Sequence, residues 1–262
     1  MPPSPKATLP HLPGVWRCDS WSPSPLPACA TGHAALDAEL PGGGWPVGEL
    51  IELLQPPAAQ HEIRLLLPAL RQAQRQGPLV LVGAPHLPHL AALVAQGLPA
   101  ARWLRVEAEA ATERLWAAEQ VLRSGAAGAV LVWLPQARAE HLRRLHLAAR
   151  EATPAGDGAG PLLFALRPES ARPLSSPAPL RLLLQGDGPG LRLQVFKRRG
   201  PPLEQPLSLP ARAARLAALL AVVALPLSGN LVGVASGHSA RAMASTLCRV
   251  GKASRPGSLS PR

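Results

Sequence analysis

Five short apolar runs recur along the chain: ELIELL (49–54), PLVLVG (78–83), RWLRV (102–106), GAVLVWL (128–134) and LLFAL (162–166). The segments between them repeat their apolar residues at helical spacing. Gln60–Gln76 places Ile63, Leu66, Leu67 and Leu70 on one face, and His86–Gln96 follows the second run. Ala110–Ser124 carries Leu115, Ala118 and Leu122 and stops at Gly125, and Ala137–Arg150 carries Leu142, Leu145 and Ala149. A strand, a helix of 10 to 17 residues and another strand cannot be joined by a tight turn, so the alternation predicts βαβ units. The expected fold class is α/β, with a mostly parallel central sheet flanked by helices. Beyond Pro168 the texture changes: LRLLLQ (180–185) and LRLQVFK (191–197), joined by GDGPG, predict a β-hairpin. Residues 1–29, rich in Pro with Trp16 and Trp21 irregularly spaced, read as an extended arm. Residues 30–210 read as the core, and 211–262 as a poorly ordered tail.

The first strand and helix enclose a loop in the position of a phosphate-binding turn. Such a turn uses glycines to bring backbone N–H groups to the phosphates, a Lys for their charge and a hydroxyl for Mg²⁺. Here it reads Gln55-Pro56-Pro57-Ala58-Ala59-Gln60-His61-Glu62, with none of those groups. Two prolines remove two backbone donors, and His61 is mostly neutral near pH 7. Glu62 sets a carboxylate where the phosphate would lie, and like charges ~4 Å apart near a surface repel by about 4 kcal/mol, roughly three orders of magnitude in affinity. The acid that organises Mg²⁺ and water in such sites ends an apolar strand, but LVWLP (131–135) ends in Trp133, Leu134 and Pro135. The residues predict no nucleotide binding, no cofactor and no Walker-type ATPase.

Formal net charge is +11, which alone would suggest nucleic acid as partner, but seven basic and no acidic residues fall in 211–262. Only Lys6, Lys197 and Lys252 are lysines; with so much Ala, Leu, Pro and Gly this is the codon usage of a GC-rich genome, and the arginine preference carries little functional signal. Cys18, Cys29 and Cys248 are odd in number and lack C-x-x-C spacing, which argues for a reducing compartment, the cytoplasm, over a disulfide framework or a zinc knuckle. The N-terminus has no apolar h-region. Leu216–Ala235 is uncharged for 20 residues, but Pro226, Ser228, Gly229 and Asn230 interrupt its middle, so a membrane span is not expected.

The order of residues around the loop carries a likeness. TGHAALDAELPGGGWPVGELIEL (31–53) resembles the approach to the RecA recombinase core, with its Thr-Gly, Leu-Asp and glycine cluster leading into the first strand. Residues 97–134 continue it through strand, helix, Ser-Gly and strand, and LRLQVFKRRGPP (191–202) resembles the recombinase's late strand and basic turn. More closely, VWR near the start, LDAELPGGGWP, LWAAEQVLRSGA and FKRRG resemble the ImuA family, RecA-like accessory proteins of bacterial translesion synthesis. The similarity spans about residues 12–207 and not the tail. It implies a RecA-like core without a working Walker motif and a role in SOS-induced mutagenesis. The implied partners are an ImuB-like homologue of Y-family polymerases, an error-prone DNA polymerase III alpha-type subunit and RecA itself. It also implies descent shared with the cell-division inhibitor SulA, which acts on FtsZ. A SulA-like inhibitor and a degenerate ATPase completed by a partner subunit are the alternatives.

Candidate contact residues follow. Lys197, Arg198 and Arg199 close a strand and open a turn, where three cations could meet an acidic partner surface or phosphate. On 138–150, Leu142, Leu145 and Ala149 face inward and leave Arg143, Arg144 and Arg150 outside, either as a contact set or as a solvated face. Trp45, after Gly42-Gly43-Gly44, reads as a lid on the core or as an exposed anchor for a partner. Trp103, Trp116 and Trp133 are expected in the core. His86-x-x-His89 lacks further ligands at metal-binding spacing, and Ser124 lacks the strained elbow of a nucleophile.

Overall fold

The structure is a computed structural model that describes residues 27–56, 61–86, 88–154, 160–187, 190–201 and 203–210. Every described residue lies within 1–217. Two-residue strands β1 (Ala28–Cys29) and β2 (Trp45–Pro46) pair antiparallel around the short helix α1 (Ala34–Asp37). Then β3 (Leu50–Gln55), α2 (Glu62–Ala73), β4 (Leu79–Val82), α3 (Leu90–Ala95), β5 (Trp103–Val106), α4 (Ala111–Arg123), β6 (Ala129–Trp133), α5 (Ala139–Glu151) and β7 (Leu162–Pro168) follow in strict alternation. The hairpin strands β8 (Leu180–Asp187) and β9 (Gly190–Lys197) and a last strand, β10 (Leu207–Pro210), complete the series.

Eight of these strands form one sheet in the order β10, β9, β8, β3, β7, β6, β4, β5. From β8 to β5 all neighbours are parallel, and only β9 runs against its neighbours. The α/β class and the hairpin are as the sequence predicts. Residues β3, β4, β6 and β7 are covered on both faces, which is why their sequences are continuous apolar runs instead of alternating ones. Ile51, Leu53, Leu79, Leu81, Leu131 and Phe164 face α2 and α3, whereas Leu50, Val80, Val82, Val130, Val132 and Leu163 face α4 and α5. A third small cluster, Leu54, Ala171 and Leu183 with Phe196, continues the second face toward the hairpin.

Local chemistry sets the helix starts. Glu113 reaches back to accept the N–H groups of Glu109 and Ala110 at 3.2 Å, and Arg123 ends α4 where the helix dipole favours a cation. Gly32 has φ +79, and any Cβ there would overlap Pro68 of α2, so the loop from β1 lies directly on that helix only with glycine.

Several expectations need correction. The buried face of α2 is Leu65, Leu66, Ala69, Leu70 and Ala73; Ile63 and Leu67 sit half-buried at its margin. α3 is shorter than the expected helix because His89 caps it, Nδ1 accepting from Ala92 N at 3.1 Å. Ala28 and Cys29 belong to a strand and not to the extended arm. Trp116 is not core: Ala117, Ala118 and Leu122 take the sheet-facing side of α4, and Trp116 points to solvent, 63% exposed. β1, β2, α1 and β10 were not anticipated, since pieces of two to four residues carry no readable period. Trp16 and Trp21, hairpin residues 188–189, the tail 211–262 and the apolar run 216–235 lie outside the described residues. Among the described residues no helix is long and apolar enough to cross a membrane.

Candidate functional site

Parallel strands bring their carboxyl ends to one edge of the sheet. The chain leaves β3 through α2 toward β4, but it leaves β7 in the opposite direction, for β8 on the far side of β3. Ligands of open α/β sheets bind where connections diverge in this way. A cleft of about 300 Å³ lies there, walled by the residues that follow β3, β4, β6 and β7. Each of those four strand ends contributes a proline, Pro56, Pro85, Pro135 and Pro168. Pyrrolidine nitrogens donate nothing, so the edge that would otherwise offer N–H groups to an anion presents apolar rings at four places.

Most polar groups of the cleft are held by the protein itself. Glu62, first residue of α2 and buried, accepts from Gln55 Nε2 through Oε2 at 3.1 Å, while Gln55 Oε1 has no partner among the described residues. Arg114 crosses from α4, donating Nε to Ala108 O at 2.9 Å and Nη1 to Trp133 O at 3.1 Å. It passes over Gly83, where φ is +64 and a Cβ would lie 2.5 Å from Arg114 Nε. Arg167 donates Nη1 to Glu52 Oε1 and Nη2 to Ala137 O, both at 2.8 Å. Trp133, the last residue of β6, forms part of the wall, and no carboxylate stands at that strand end. His61 sits at the N-terminal cap of α2 without a side-chain capping bond. Pro57 and Gln60 lie outside the described residues.

Beneath the cleft is a buried ionic network that sequence reading missed. Glu52 is fully buried and meets Arg167 and the Nε of Arg181, and Arg181 also donates Nη2 to Ala171 O at 3.0 Å. The Phe196 ring lies under Arg181 at 4.9 Å and under Arg172 at 5.3 Å. A carboxylate in mid-strand with both faces covered must be paired, and that requirement was the available signal. Arg167 and Arg181, at the end of one apolar run and near the start of another, were the cations to match it.

The basic turn is largely spent on its own chain. Lys197 Nζ donates to Ser176 O at 2.7 Å; partial burial, and then the Arg181 charge, lower its pKa against the opposing pull of Glu52. Arg198 donates Nε to Pro201 O at 2.7 Å and Nη1 to Glu39, with 3.0 Å to Oε2. Arg199 Nη2 donates to Glu49 Oε1 at 3.0 Å, and His146 Nε2 lies 2.8 Å from the other oxygen. Burial alone would raise the Glu49 pKa, but the His146 hydrogen bond and the charges of Arg199, His146 and Arg150 hold it below the ordinary carboxylate value. Lys197, Arg198 and Arg199 thus each hold a partner on their own chain, tying the end of β9 to Ser176, to Glu39 just after α1 and to Glu49 just before β3, while the Arg199 side chain stays 44% exposed.

Trp45 also needs correction as an anchor. It is fully buried and meets Phe164 edge-to-face, centroids 5.4 Å apart at 88°, which is the lid reading. Arg143 is exposed on α5 as expected, and Arg144 donates Nη2 to Glu119 of α4 at 2.5 Å while staying mostly exposed. His86 and His89 do not assemble a site, and among the described residues no group of three His, Cys, Asp or Glu comes together to hold a metal ion. Cys29 is half-buried, and burial with the nearby Asp37 charge raises its pKa, away from thiolate reactivity. No protein-family model matches the chain, and no curated protein matches it significantly.

Proposed function

We propose that the chain is a non-catalytic, RecA-like accessory protein of SOS-induced translesion DNA synthesis. On this reading it works in the cytoplasm by contacts with an ImuB-like homologue of Y-family polymerases and an error-prone DNA polymerase III alpha-type subunit. DNA and RecA are met weakly or through those partners. The observation that carries the reading is the cleft at the sheet's carboxyl edge. It occupies the place of a nucleotide site, yet four prolines, Trp133 and the carboxylate of Glu62 line it, and its arginines are engaged with backbone carbonyls or with Glu52.

The RecA-like assignment is supported by an eight-stranded mixed sheet with the first long strand, β3, inside it and a hairpin toward one edge. The basic turn of the sequence resemblance follows the second strand of that hairpin. A core that keeps this layout without phosphate chemistry retains its surfaces as its means of action. The experiment is co-purification of the full chain with the polymerase-like partner, with ATP hydrolysis followed in the same preparation. A stable complex without turnover is expected. Turnover of ATP by the isolated chain, with no complex formed, would overturn the reading.

A further inference from the structure

α4 and α5 lie side by side on one face of the sheet, and their outward surfaces meet at Glu119. That carboxylate is 5% exposed and holds two arginines, Arg123 one turn along α4 at 2.9 Å and Arg144 of α5 at 2.5 Å. Two large apolar side chains flank the bridge. Trp116, one turn before Glu119, is the most exposed large hydrophobic residue described, and Leu147, one turn after Arg144, is 53% exposed. Residues three apart on a helix lie about 5–6 Å apart at Cβ, so both stand within one side chain's reach of the bridge. Arg143 is exposed beside them and has no ion pair among the described residues. The patch thus sets three arginines against one buried carboxylate, around an indole and a leucine.

We propose that this face docks an acidic amphipathic segment of the polymerase-like partner, a proposal that rests on the accessory role above. The segment's apolar side covers Trp116 and Leu147, and its carboxylates meet Arg143 and the exposed ends of Arg123 and Arg144. Trp and Arg are the residue types that dominate interface energetics when their surroundings are dried. Charge complementarity selects an acidic occupant. A nucleic-acid strand is the poorer match, because its phosphates would meet the arginines but leave Leu147 without an apolar partner, whereas an amphipathic segment covers both kinds of group.

The test uses the full chain and the full-length polymerase-like partner. A photo-crosslinking residue at position 116, and separately at 147, is expected to label one partner segment in which Asp or Glu flank apolar residues. Trp116→Ala with Leu147→Ala is expected to weaken the complex about 30-fold, the loss of one interface hot spot. Arg143→Glu is expected to weaken it about threefold, reversed when an acid of the labelled segment is changed to Lys. All three residues are exposed, so circular dichroism and the thermal midpoint should not move. Unchanged affinity in the double variant, with no crosslink at either position, would place the contact elsewhere and leave the accessory role standing. No complex with the unaltered chain would remove both. Binding of single-stranded poly-dT that is lost in Trp116→Ala would replace the docking site with a nucleic-acid face.

Discussion

Replacing Glu52 by Ala removes the one carboxylate that two buried guanidinium groups share. Glu52 and the Arg167 side chain are essentially inaccessible, and Arg181 nearly so. Taking one partner from a buried pair costs about 3–5 kcal/mol, because the remaining charge keeps its desolvation penalty and loses its compensation. The damage is bounded by what each arginine retains. Arg167 keeps Ala137 O at 2.8 Å, and Arg181 keeps Ala171 O at 3.0 Å and its place over Phe196. A loss of about 4 kcal/mol is therefore expected, a large share of the roughly 5–15 kcal/mol that holds an ordinary domain together. Glu52→Gln preserves shape and one acceptor while removing charge, and should fall about halfway. Replacing all three residues by Leu or Met should restore stability to within about 1 kcal/mol of the parent, since apolar side chains need no compensation. Urea unfolding followed by circular dichroism, with linear extrapolation, measures all three. A Glu52→Ala loss below about 1 kcal/mol would refute the reasoning, because the arginines would then be solvated by some other route.

Three further outcomes follow from the same structure. The Glu49 pKa is held below its ordinary value of 4.5, so the stability it contributes is complete above that pH and is lost as pH falls through the lowered value. Glu49→Gln should flatten the acid limb of the stability–pH curve, and an acid limb identical to the parent's would count against the Arg199 and His146 contacts. Trp45→Ala should cost about 3–5 kcal/mol by urea unfolding, as a buried aromatic does, and an exposed anchor would cost almost nothing. Gly32→Ala meets both an unfavourable φ and Pro68, so it should destabilise by more than about 1 kcal/mol; adding Pro68→Ala should recover the part due to overlap, seen as non-additivity in a double-mutant cycle.

The layered α/β core was legible because strands buried on both faces are written as continuous apolar runs and the helices between them as periodic ones. Val130 and Val132 face α4 and α5, and Leu131 faces the other layer, so both sides of one strand had to be apolar. What escaped reading lacks a period or depends on contacts distant in sequence. The two-residue strands β1 and β2 exist because Ala28 meets Pro46 and Cys29 meets Trp45 across α1. Glu52 reads as one polar letter in an apolar strand, and its arginines lie 115 and 129 residues away. Arg198 and Arg199 looked free for the same reason: Glu39 and Glu49 are remote in the chain and adjacent in space. At the cleft, the missing lysine and hydroxyl were visible in the sequence. The convergence of four prolines on one edge was not, since it arises only when the strands are ordered in the sheet.

Calorimetric titration of the full chain with MgATP tests the central claim most directly. A cleft walled by prolines and holding the carboxylate of Glu62 should give no saturable heat at millimolar nucleotide and no phosphate release. Saturable binding that requires Mg²⁺, with release of phosphate, would contradict it.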